Sequence, residues 1–217
     1  MGGGGENGAC WGCLSLHRAS RFVVAFSVEA TEAAAIPEVV RRTRERTAGQ
    51  RGIRWITDGH PGYNRWVRRV YREPVRSGRV GRPRLVPVPG TALTQMCKLR
   101  EGRRIKAVVV RHRFGPEPEQ PHTVRIERKN GVLRDRLSCL TRRTHAFARR
   151  GKRWRARVGM SLFEQNWLRP HPALREKASD LPKGQRYRQR TPAMVIGLTQ
   201  HVWSWTEFLS RRVSQCI

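Results

Sequence analysis

Three residues carry the types and positions from which metal-assisted phosphodiester chemistry is built. Asp58 closes the apolar run "GIRWITDG" and precedes a glycine. Glu127 falls early in a helix-like stretch, "IERKNGVLRDRL", and His17 ends "CLSL" where "HRASR" turns the chain. Ligand sites gather where strands of an α/β sheet end, and a helix across that edge can deliver a further group. Cleaving or joining a phosphodiester takes two hard cations about 4 Å apart, held by carboxylates. Magnesium prefers such oxygen ligands and keeps several waters. Asp58 and Glu127 would be the second and third members of a minimal set of three, and His17 stands at the first. A neutral imidazole suits manganese or zinc better than magnesium, and it brings no charge to offset two dications. Each residue also has a plainer reading. An Asp before Gly is commonly a turn residue, and a Glu between Arg125, Arg128 and Lys129 is commonly a solvated ion-pair partner. His17 is equally well placed to be part of its turn.

The elements that must position these residues follow from periodicity and turn signals. Residues 9–28 read as two strands around "HRASR". "TEAAAIPEVVRRTRERT" reads as a helix started by Thr31 and Glu32, with Pro37 near its first turn or kinking it. Its Ala34, Val39 and Val40 are placed to face a sheet, and Arg41, Arg42, Arg44 and Arg46 to face solvent. Residues 52–59 form a short strand, and "PGYNRWVRRVYR" a second helix on which Tyr63 is a half-buried aromatic near the start. Residues 72–104, rich in Pro, Gly and Arg, read as a basic loop insertion, within which "GRPR" (81–84) is a solvated basic segment or a minor-groove hook. "IKAVVVRHRFG" (105–115) is a strand. A long helix runs from about His122 to Arg149, with Val124, Val132, Leu133, Leu137 and Leu140 at helical spacing. "MSLFEQNWL" is a further helix that "RPHPALRE" ends. Strands alternating with helices predict an α/β sheet flanked by helices.

Composition sets the partner class. Among 217 residues, 45 Lys and Arg oppose 16 Asp and Glu, a formal charge of +29. Such an imbalance opposes compaction unless a polyanion neutralises it, and nucleic acid is the expected counter-surface. No apolar run reaches the ~18 residues of a membrane span, and the Gly-rich start lacks the charge and apolar order of a secretory signal. Five scattered cysteines do not suggest a disulfide framework, and for "CWGC" (Cys10, Cys13) neither the following helix of a redox site nor the second Cys/His pair of a zinc site is obvious.

The blocks "RIERKNGVLRDRLSCLTRRTHAFAR" and "FEQNWLRPHPALRE" resemble insertion-sequence transposases of the DDE type, most of all the insertion-sequence-one-like group. "WITDGHPGY" is similar to the family's second-Asp motif, and "QRTPAMVIGLTQHVWSWTEFL" to a C-terminal box of bacterial members. The resemblance spans nearly the whole chain from Cys13. It implies a ribonuclease-H-like fold, with a mixed sheet flanked by helices, and Mg2+- or Mn2+-dependent cleavage and joining of double-stranded DNA at insertion-sequence ends. It also implies a homo-oligomer acting in the bacterial cytoplasm, at the nucleoid, with no membrane partner. Asp58 and Glu127 would be metal-binding catalytic acids. Arg125, Arg128, Lys129, Asn130 and Arg134 would contact DNA. The family pattern "D-R-x-S-R" meets "HRASR" here, so His17 occupies the first-Asp slot.

Two expectations depart from the family. Only 16 residues precede His17, so the segment that normally precedes the first Asp reads as truncated. The replaced acid opens the alternative of a catalytically inactive remnant that only binds DNA. A basic structural protein of ribosome or nucleoid is a third reading; it accounts for the charge alone. The expected organisation is a disordered leader over 1–8, a ribonuclease-H-like catalytic-type domain over 9–175 and a tail over 176–217 with a short helix. His17, Asp58 and Glu127 are expected to meet at one sheet edge within metal-sharing distance.

Overall fold

The computed structural model describes residues 2–5, 8–48, 50–76, 78, 81–140 and 151–211. The expected hairpin is present. Strands β2 (Gly8–Leu16) and β3 (Val23–Glu29) pair antiparallel, with Trp11 opposite Glu29 and Leu16 opposite Val23. Gly2–Gly5, expected to be disordered, instead forms a strand, β1, against Gly8–Trp11. The backbone alone makes that ladder, so glycine's lack of a side chain does not prevent it. Any side-chain role for Cys10 lies outside the described residues, as does the part of the expected long helix over 141–149.

Helix α1 (Glu32–Arg46) starts where predicted. Thr31 accepts from the Ala34 amide at 3.2 Å, and Pro37 lies inside the helix, which continues past it. Its buried stripe is Ala35, Ile36, Val39, Val40 and Thr43, while Ala34 is exposed. The stripe is thus displaced by one residue at its first turn. Strand β4 (Arg54–Asp58) and helix α2 (Pro61–Val70) follow as expected. Ala25, Ile36, Val39, Val40, Trp55, Val67, Tyr71, Val88 and Leu93 form one core, with Tyr63 partly buried against it.

The expected loop over 72–104 is ordered into strands. β5 (Arg72–Val75) and β6 (Arg84–Pro87) pair antiparallel, and β7 (Ala92–Glu101) joins the sheet. Proline and arginine hid the pattern, but β6 needs few ladder bonds and an edge tolerates proline. β7 lies parallel to β4 and antiparallel to β8 (Arg104–Phe114), giving a mixed sheet in the order β4-β7-β8. Gly115 closes this unit with φ 78°; a Cβ there would meet the Thr91 carbonyl at 2.2 Å.

The expected long helix is shorter. α3 (Val124–Arg136) stops at Leu137, and a single 3-10 turn follows over Ser138–Leu140. Val124 is exposed, whereas Leu133 and Leu140 are buried in a second core with Val23, Val28, Trp154, Val158 and Leu162. α4 (Gly151–Phe163) runs into a π-helical turn, Glu164–Leu168. The side chain of Asn166 there acts as a piece of strand: its Oδ1 accepts from the Val23 amide and its Nδ2 donates to the Val23 carbonyl, both at 3.0 Å. Two-residue strands β9 (Glu176–Lys177) and β10 (Tyr187–Arg188) precede α5 (Pro192–Val195) and α6 (Trp205–Ser210), two short tail helices rather than one. Phe163, Trp167, Trp203 and Phe208 join that tail to the π turn, with Trp167 and Trp203 rings 4.7 Å apart. No described helix is long and apolar enough to cross a membrane.

Candidate nucleic-acid interface

Each expected acid is engaged locally. Asp58 ends β4 opposite Met96 of β7. Its Oδ1 accepts from the His60 amide at 3.2 Å, and His60 Nδ1 then caps α2 by accepting from Gly62 at 3.0 Å. Buried Gln95 fixes this corner. Its Nε2 donates to the Asp58 and His60 carbonyls, and its Oε1 accepts from Arg113. Asp58 is therefore the turn residue that its following glycine suggests. Tyr63 and Cys13 are both packed against the core beside this corner, and burial raises both groups, Cys13 to about 11. That leaves the thiol protonated and inert.

Glu127 sits in the first turn of α3, where its Oε1 takes Lys98 Nζ at 2.7 Å and Thr123 Oγ1 at 3.1 Å. The hydrogen bond from Lys98 is the main force holding its carboxyl below the ordinary range. His17 closes the hairpin turn. Its amide donates to the Phe22 carbonyl at 2.8 Å, its carbonyl accepts from Arg21, and its Nδ1 lies 2.7 Å from Ser20 Oγ. Among the described residues, no group of three or more His, Cys, Asp and Glu side chains comes together to hold a metal. The expected meeting of His17, Asp58 and Glu127 is therefore corrected. His17 serves its turn, Asp58 caps a corner, and Glu127 answers Lys98.

What does converge is positive charge. The turn that contains His17 lies against α3. There the Arg125 guanidinium donates to the Arg18 carbonyl. Arg21 has φ 63°, in the left-handed region that a residue carrying a Cβ occupies only at a cost. Its Nε is buried without a hydrogen-bond partner, and burial followed by Arg125 and Arg128 lowers its guanidinium. Lys129 Nζ donates to Gln165 Oε1 at 2.9 Å on the π turn. Burial pushes Lys129 down to about 8, with Arg136 and Arg21 adding repulsion. His171 is lowered by burial and then by Arg21, Lys129 and Arg128, and His122 by burial and then by Arg18, Arg125 and Arg21. Only cations perturb Lys129 and Arg21 electrostatically; the nearby acid Glu164 is paired with Arg136 at 3.2 Å. Asn130 Oδ1 and His122 Nδ1 are also buried without a hydrogen-bond partner.

The expected DNA-contacting residues Arg125, Arg128 and Lys129 thus belong to one cluster, with Asn130 next to it on α3. Arg134 lies two turns beyond Glu127 on the same helix and is exposed. Sequence reasoning did not bring in Arg18, Arg21, His122 or His171. The signal available was the doubled arginine of "HRASR" and the histidine of "RPHPALRE". Converging cations with buried donors have the chemistry that phosphate oxygens, which supply both charge and acceptors, would answer.

Fold and site together define a mixed α/β protein with a cation cluster between a hairpin turn and a helix. No family model, curated protein or solved structure matches the chain.

Proposed function

We propose that this chain is a DNA-binding protein of transposase-like, ribonuclease-H-like descent that holds the phosphate backbone in the cluster of Arg18, Arg21, Arg125, Arg128 and Lys129. The carrying observation is that these cations converge, with other cations as the electrostatic neighbours of Arg21 and Lys129. Folding them together without a counter-ion costs stability, and a bound phosphate removes that cost. The mode of action is binding rather than strand cleavage, since the three expected metal-site residues each have a local partner. The test is binding to a random-sequence DNA duplex across a salt series. The logarithm of affinity should fall linearly with the logarithm of salt, and Arg125→Gln with Arg128→Gln should flatten that slope by roughly 2, about 0.9 per lost phosphate contact. An unchanged slope would refute the cluster's role.

A second reading, Mg2+- or Mn2+-dependent cleavage and strand transfer at insertion-sequence ends by an oligomer, rests on the resemblance and on one spatial observation. Asp58 pairs with Met96, and Lys98, two residues along β7, holds Glu127. Two carboxylates therefore flank one end of the same strand pair, which a metal displacing Lys98 would exploit. A cleavage and strand-transfer assay comparing the chain with His17→Asp, in each metal, separates the readings. Product that disappears with Glu127→Gln would favour this second one.

A further inference from the structure

We infer that the β7–β8 hairpin is a groove-reading arm: a two-stranded ribbon that enters the major groove of duplex DNA. This inference rests on the DNA-binding reading and says where sequence, rather than backbone, would be met. The ribbon has a fixed root and a free tip. Ala92, Leu93, Thr94 and Gln95 are buried, Phe114 packs on the core, and Arg68 lies over the Phe114 ring at 4.1 Å while donating to the Arg113 carbonyl. From Lys98 to Val108 every residue on both strands is exposed. The register continues through Lys98↔Val108 and Leu99↔Ala107, and after a bulge to Glu101↔Arg104. The tip turns on Gly102, whose φ is 58° and around which a Cβ would meet nothing.

A two-stranded ribbon in water gains little from its own packing, yet this one displays apolar side chains. Leu99, Ile105, Val108 and Val110 are each between 44% and 49% exposed. Lys98 and Arg100 flank Leu99, Arg104 and Lys106 flank Ile105, and Arg111 follows Val110. Lys98 is paired with Glu127 and Lys106 with Glu101. Arg100, Arg103 and Arg104 have no carboxylate partner among the described residues. Two surfaces could cover apolar groups set among unpaired arginines. A second copy adding a strand to the β8 edge would bring Arg104, Lys106, Arg111 and Arg113 against like charges, an arrangement edge strands use to prevent pairing. Duplex DNA answers both features. Its phosphates flank the groove, and thymine methyls line the floor.

The dimensions agree. Strands in a ribbon lie about 4.8 Å apart and rise about 3.4 Å per residue. The free part, roughly four residue pairs beyond Cys97, is thus about 14 Å long. The major groove is about 12 Å wide and 8.5 Å deep and admits a two-stranded ribbon. Seated there on one face, Ile105 and Val108, which share that face through their partners Arg100 and Lys98, meet the base edges, and Arg103 and Arg104 at the tip reach the rims.

The experiment uses the whole chain, a variant carrying Arg100→Gln, Arg103→Gln and Arg104→Gln, and a second variant, Val108→Thr, that keeps the charge. Far-UV circular dichroism confirms that all three fold. Each is titrated against a random-sequence duplex whose guanines are unmodified or methylated at N7, which blocks the major groove. Methylation should weaken the unaltered chain at least about tenfold; the triple variant should be insensitive to it, with a salt slope smaller by roughly 2 to 3. Val108→Thr should keep the slope and lose part of the sensitivity. If methylation has no effect and the triple variant binds with an unchanged slope, the arm reading is overturned while the phosphate cluster stands. If the unaltered chain does not bind duplex at all, both readings fall. A triple variant that changes only sedimentation mass would assign the ribbon to self-association and overturn the inference.

Discussion

Lys98 Nζ lies 2.7 Å from Glu127 Oε1, an ion pair linking β7 to the first turn of α3. Both side chains are substantially exposed, so the pair contributes less than about 1 kcal/mol. Its pH dependence has a definite sign. Glu127's carboxyl is held below its ordinary value, so its contribution is complete above the unfolded carboxylate range and disappears as pH falls through the lowered folded value. Glu127→Gln should therefore melt slightly below the unaltered chain at neutral pH, with the gap closing as pH falls through the carboxylate range and gone only below the lowered folded value. Thermal melts at a series of pH values check this.

On the proposed DNA-binding reading, Lys129 puts binding and stability in opposition. Burial pushes its ammonium down to about 8. A base whose folded value is depressed carries fewer protons folded than unfolded between that value and its ordinary one. Stability from this group therefore rises as pH climbs from about 8 towards 10.4, and the charged form is a cost below about 8. Lys129→Met keeps the stem that packs there and removes the charge. We expect it to raise the melting temperature at pH 7 by roughly 2–4 °C, the shift that about 1 kcal/mol produces at this size. Binding to duplex DNA should weaken, and a melt paired with a binding titration reads both effects.

Arg21 makes the same opposition in its backbone. Its φ of 63° carries a steric penalty of about 1 kcal/mol that glycine does not have. Its guanidinium also crowds Arg125 and Arg128. Arg21→Gly should raise the melting temperature by a few degrees and lower affinity for DNA. Arg21→Lys should restore part of the affinity without the stability. If Arg21→Gly bound DNA unchanged, the cluster would lose its central member.

Much of the positioning frame was legible in sequence, for local reasons. The "HRASR" turn, the Thr31 cap and the strand ending at Asp58 all rest on short-range signals, and all are present. The strands within 72–104 were not legible, because β7 is specified by its burial between β4 and β8 rather than by alternation. The end of α3 at Leu137 was also hidden. Helical spacing continues through Leu140, and tertiary packing of Cys139 and Leu140 against Trp154 sets the stop. The acids at Asp58 and Glu127 were found by type, but type does not reveal a partner such as Lys98. The cation cluster assembles residues 18 to 171, a separation that no spacing in the sequence expresses.

Asn166 is the buried joint on which that assembly depends. Its side-chain amide completes both halves of the Val23 backbone on the side of β3 away from β2, where no described strand pairs with it. The neighbouring Gln165 takes the Lys129 ammonium and itself donates to Ser161. Asn166→Ala leaves a buried N–H and a buried C=O unpaired, a cost of about 1–3 kcal/mol for each group left without a bond. Asn166→Asp keeps the acceptor but sets a carboxylate against the Val23 carbonyl, so it should not rescue. Both variants should melt at least roughly 5 °C lower. Below the melting transition, however, the arginines of the cluster are retained. Binding there should keep the slope of affinity against salt, because the number of phosphates neutralised does not change. A flattened slope in folded Asn166→Ala would mean that the π turn, and not the hairpin turn with α3, supplies the contacts to DNA.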